Sequence, residues 1–84
     1  MNARELTDRI DMIVFEGETA RGWLQQLARR SAVALEAARN NTFFASNSAD
    51  QLAELEEAIE ACSKAEAALE ALSAAAMRRE GKAA

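Results

Sequence analysis

Histidine, tyrosine and proline are absent from this 84-residue chain, cysteine and tryptophan occur once each, and glycine occurs three times. Each scarcity excludes something. Without histidine or tyrosine, the groups able to exchange a proton reduce to carboxylates, two lysines and Cys62, a poor set for general acid–base work near neutral pH. A single cysteine cannot form an intrachain disulfide. With no histidine and no second thiol, a structural zinc site lacks its usual ligands. There is no glycine-rich phosphate loop and no G-x-x-x-x-G-K pattern. The apolar run Met12-Ile13-Val14-Phe15 falls far short of the ~20 residues that cross a bilayer, and it has no signal-peptide layout. The expectation is a non-enzymatic chain with no cofactor, metal or membrane span. A lone unpaired thiol suits a reducing compartment, so the expected location is the cytoplasm, and the sequon Asn40-Asn41-Thr42 is a chance match.

Alanine fills 21 of the 84 positions, and with leucine, glutamate and arginine it makes a composition of good helix formers. The expected fold class is all-α, in one domain. A chain this short supplies only ~3–5 kcal/mol from a single core, so small scaffolds of this kind need a staple. With disulfide and zinc excluded, the remaining staple is self-association or docking on a partner.

Asn2 with Glu5 three residues on has the form of a capping box and opens a first helix over 3–39. Leu6, Ile10, Ile13, Gly17, Ala20, Leu24, Leu27, Ser31, Ala34 and Ala38 then follow steps of four and three, a heptad seam for packing against a second helix. Gly17 and Gly22 each weaken a helix interior by ~1 kcal/mol, so a kink or break near 16–19 is weighed against one continuous helix. Asn40 or Asn41 suits a left-handed residue after the helix, and 40–47 reads as a turn. Ser48 with Gln51, and Asp50 in the first turn, open a second helix over 48–80. Arg78 and Arg79 end it, Gly81 stops it, and 81–84 forms a frayed tail. The architecture expected is an antiparallel helical hairpin, coiled-coil-like.

The second helix carries two adjacent apolar stripes. Leu52, Leu55, Ile59, Cys62 and Leu69 form one; Ala58, Ala61, Ala65, Ala68, Leu72 and Ala75 form the other. A helix in a simple hairpin needs an apolar arc only a little wider than about 100°. Phe15 and Val33 also lie far round from the first helix's seam, with Met12 and Trp23 on its shoulder. This excess implies a second buried surface, most economically a homodimer of hairpins forming a four-helix bundle. Phe43 and Phe44, adjacent in the polar turn, are then either a plug over the open end of the bundle or an exposed tip. Glu66 falls on the heptad continuation of Leu55, Ile59 and Cys62, where a charge sets register or pairs with an arginine across the interface. The alternative is a drift of phase that puts Ala65 on the seam.

The net charge of −4 lies wholly in residues 42–84, with eight acidic and four basic side chains against six of each in 1–41. This balance disfavours direct nucleic-acid binding, and the arginines are scattered with no interleaved aromatics. Asp8 with Asp11, and Glu16 with Glu18, read as solvated carboxylates. Cys62, on an apolar stripe, reads as a small hydrophobe. The first functional expectation is a protein–protein interaction module, an adaptor or regulator, binding a protein partner through Met12, Phe15, Trp23, Arg30, Phe43 and Phe44. Tryptophan and arginine are favoured interface anchors. The alternative is an acidic inhibitor or decoy of phage or mobile-element type, blocking a nucleic-acid-handling complex with Asp50, Glu54, Glu57 and Glu60. A weaker alternative is a small dimeric transcription or copy-number regulator, bacterial or phage, that binds nucleic acid through the arginines of the dimer.

Overall fold

A computed structural model describes residues 1–83. Among them there are three helices and no strand, so the fold is all-α: α1 (Ala3–Arg39), α2 (Thr42–Asn47) and α3 (Ala49–Ala83). The molecule is elongated, measuring 59 × 24 × 14 Å.

α1 begins where the sequence signals it. The Asn2 carboxamide oxygen accepts the Glu5 backbone N–H at 2.8 Å, and the Asn2 amide donates to the Glu5 carboxylate at 3.1 Å. The bond to Asn2 satisfies the Glu5 N–H, a backbone donor that the first helical turn leaves free, while the reciprocal bond runs side chain to side chain. α1 then continues without a break through the region around 16–19. Continuity there has a physical reason. Gly17 is buried, and a Cβ added to it would come within 3.0 Å of Leu69 Cδ2 on α3. The missing side chain lets the second helix approach closely, and that packing offsets the poor helix propensity of glycine.

Three local expectations are corrected. The segment 40–47 is not a plain turn: Asn41 caps the short helix α2, its side chain accepting the Phe44 N–H at 2.9 Å. Ser46 Oγ and Asn47 Nδ2 bond back to the carbonyls of Thr42 and Phe43, each at 2.8 Å. No left-handed residue closes α1 either. Asn40 stays in the right-handed region, and the Asn40 and Asn41 N–H groups reach the carbonyls of Glu36 and Ala38. Finally, Gly81 does not stop the last helix, which runs on to Ala83; the remainder of the expected tail, Ala84, lies outside the described residues.

Contacts between the long helices pair the end of α1 with the beginning of α3 and the beginning of α1 with its far end. Arg39 meets Glu56, Gln25 meets Glu66, Glu18 meets Ser73 and Asp11 meets Arg79. On α3 the covered line is Leu52, Leu55, Ile59, Cys62, Glu66, Leu69, Ser73 and Ala76. Glu66 sits on that line and Ala65 is exposed, so the phase does not drift. On α1 the seam is rolled by one position from the expected one. Gly17, Leu24, Ser31 and Ala38 are shared, but Val14, Arg21, Ala28 and Leu35 turn inward in place of Ile13, Ala20, Leu27 and Ala34. The roll brings Asp11, Glu18, Gln25 and Arg39 within reach of their α3 partners. It leaves Leu6, Ile13 and Leu27 about half exposed.

Candidate functional site

The pair of long helices has two unlike flanks, and the roll of α1 creates the difference. One flank is polar and cross-linked by side chains. Gln25 Nε2 donates to Glu66 at 2.6 Å, Ser73 Oγ donates to Glu18 at 2.8 Å, and Arg39 pairs with Glu56; Asp11 on this flank also pairs with Arg79, which shares the helical phase of Ala65 and Leu72. The opposite flank carries no such ladder. Helical phase places Leu6, Ile13, Ala20, Leu27 and Ala34 along it from α1, and Ala58, Ala61, Ala65, Ala68 and Leu72 from α3. Apart from the partly covered Leu72, all of these are exposed. The second apolar stripe read from the α3 sequence therefore faces away from α1.

The interior is correspondingly thin. Leu35 and Leu52 are the buried apolar side chains among the described residues, and none is fully enclosed. Among the described residues no helix is long and apolar enough to cross a membrane. Among the described residues no group of three or more His, Cys, Asp or Glu side chains is arranged to hold a metal ion.

The expected partner-binding residues fall into three places. Met12 and Phe15 stand together on the outer side of α1, lining a shallow depression with Asp8 and Asp11. Phe15 also edges a neighbouring one with Glu18, Ser73, Ala76 and Met77, and so spans both long helices. Trp23, 66% exposed, and Arg30 lie two turns apart on the outer face of α1, with Trp23 at the border of the apolar flank. Phe43 and Phe44 are split by the geometry of α2. Phe43 is 79% exposed, whereas Phe44 folds down beside Ala34, Ala38, Leu52 and Leu55 at the end of the apolar flank.

No protein-family model, curated protein or solved structure matches this chain. Its surfaces must therefore be read from their own chemistry.

The acidic ridge Asp50, Glu54, Glu57 and Glu60 is exposed throughout, with Glu60 paired to Lys64 at 3.4 Å in the i, i+4 geometry. Cys62 is half-buried on the seam, as a free thiol. Sequence reasoning missed Gln25, Glu18 and Arg79 as bridging residues. Their signal was available only in pairs, because each acquires a role when the residue opposite it on the other helix is known.

Proposed function

We propose that the chain is a non-enzymatic helical interaction module, an antiparallel hairpin that doubles into a four-helix bundle and offers the outer face of α1 to a protein partner. One observation carries the reading. Twelve large apolar side chains stand exposed, Met12, Phe15 and Trp23 among them, while Leu35 and Leu52 alone are buried among the described residues. Apolar surface on that scale is typical of an association site. Aromatic side chains bring large contact area to it at a low entropic cost. Cys62 as a free thiol fits a reducing compartment, so the reading includes action in the cytoplasm.

A second reading rests on the ridge Asp50, Glu54, Glu57 and Glu60, four exposed charges of one sign along one helix. As a decoy, the chain would occupy a basic groove with this ridge, and its affinity would fall steeply with salt.

Capture of partners on immobilised protein separates the two. In the first reading, a partner retained by the native chain is lost with Phe15→Ser/Trp23→Ser and kept with Glu54→Lys/Glu57→Lys/Glu60→Lys. The decoy reading gives the reverse pattern. A partner indifferent to both sets contradicts both.

A further inference from the structure

Resting on the interaction-module reading, we propose that the apolar flank is occupied by a second copy of this chain in one particular arrangement: α1 of each copy lies on α3 of the other, the two-fold axis runs parallel to the helices, and both α2 turns sit at the same end.

Three observations support a second copy. A compact monomer of 9.1 kDa exposes about 4,900 Å² on the usual area–mass relation, whereas this chain exposes 6586 Å². The excess, about 1,700 Å² per chain, is enough for the interface of a permanent homodimer. The flank is also complementary in size for the most part. α1 contributes the large Leu6, Ile13 and Leu27 with the small Ala20 and Ala34, and α3 contributes the small Ala58, Ala61, Ala65 and Ala68 with Leu72 toward one end. Large side chains fill the space over small ones when α1 packs on the partner's α3, which is how facing layers interdigitate. Packing α1 on α1 would crowd the flank, and packing α3 on α3 would leave it under-filled. Thirdly, the opposite flank is already committed to its own cross-helix hydrogen bonds and ion pairs.

Charge selects the same arrangement. From Ala49 to Arg79, α3 holds seven acidic and three basic side chains, while α1 holds six of each. A two-fold axis perpendicular to the helices would set the two acidic α3 helices side by side. An axis parallel to them puts the α3 helices on the diagonal and gives each an α1 neighbour on both sides, which lowers the repulsion. It also makes every neighbouring pair antiparallel, as in an up-down bundle, and brings Phe43 and Phe44 of both copies together over one end.

The test combines two measurements. Light scattering compares the native chain with Ala65→Glu, in the centre of the apolar flank, and Phe15→Glu, on the other side of α1. Pulsed dipolar spectroscopy then measures the distance between spin labels on Ser46→Cys in a Cys62→Ala background. The expected result is that Ala65→Glu abolishes the dimer and Phe15→Glu retains it. The turn-to-turn distance should be below about 30 Å, since bundled helices pack about 8–10 Å apart. A distance near 50 Å, roughly the length of a 35-residue helix, would overturn the parallel axis. A dimer lost with Phe15→Glu and kept with Ala65→Glu would place self-association on the wrong flank. A native chain that stays monomeric overturns the inference altogether. Each of these failures leaves the capture experiment with Phe15→Ser/Trp23→Ser as an independent judge of the interaction-module reading.

Discussion

Gln25 Nε2 donates a 2.6 Å hydrogen bond to Glu66 Oε1, joining the middle of α1 to the middle of α3. Glu66 occupies a position on the covered line of α3 where Cys62 and Leu69 flank it in the heptad. A polar pair in a seam holds two helices in one register at a cost in stability. Glu66→Leu is therefore expected to raise the stability of the fold by about 1 kcal/mol and to broaden its pairing into more than one register. Gln25→Leu alone leaves the carboxylate half-buried without its donor, and should lower stability by about 1 kcal/mol. Thermal melts check the first effect, and the number of conformers in amide NMR spectra checks the second.

The two glycines inside α1 are expected to respond in opposite ways. Nothing lies within 4 Å of a Cβ added at Gly22, so Gly22→Ala should gain helix propensity at no steric cost. The gain is about 0.5–1 kcal/mol, a rise of a few degrees in Tm for a chain of this size. Gly17→Leu forces a side chain against Leu69 and should cost about 1–3 kcal/mol through separation of the helices. A Tm that rises for both variants would mean that Gly17 is not a close-approach position.

Adjacent phenylalanines should likewise be unequal. Phe44 is 40% exposed and lines one depression with Leu52 and Leu55, whereas Phe43 is 79% exposed. Phe44→Ser is expected to lower stability by roughly 1–2 kcal/mol for the apolar area returned to water, and Phe43→Ser by less. Equilibrium urea unfolding of the two variants gives the order directly, and the reverse order would contradict the placement of Phe44.

The ion pairs Arg39–Glu56 and Arg79–Asp11 join the long helices near their ends, but all four side chains remain roughly half exposed. Water and salt screen such pairs, so Arg39→Ala and Arg79→Ala should each change stability by less than about 1 kcal/mol. The remaining difference between native and variant chains should shrink further as salt is raised. Melting curves at low and high ionic strength measure this.

Helix content and the first boundary were legible because their causes are local. Alanine-rich composition and the Asn2–Glu5 spacing act within one turn, and the side-chain bonds at that cap follow from the spacing. The face of α1 that meets α3 was not legible. Ile13 and Leu27 lie on one side of the shared line Gly17–Leu24–Ser31, and Val14 and Leu35 on the other, with comparable hydrophobicity. Which side turns inward depends on partners in α3, among them Glu66 for Gln25 and Arg79 for Asp11. Helix α2 was missed for a related reason. Thr42–Asn47 has the composition of a turn, and Asn41 reads as a left-handed residue ending α1, whereas its side chain caps a new helix at the Phe44 N–H. The Met12–Phe15 depression could be anticipated from spacing, since residues three apart share a helix face.

The most direct test of self-association is light scattering on a size-exclusion column across a range of protein concentrations, with helicity followed on the same fractions. The expected result is a mass of twice 9.1 kDa at micromolar protein, and a helical signal that falls together with the dimer on dilution. A highly helical chain that keeps the mass of one copy at every concentration, and still melts cooperatively, would contradict it.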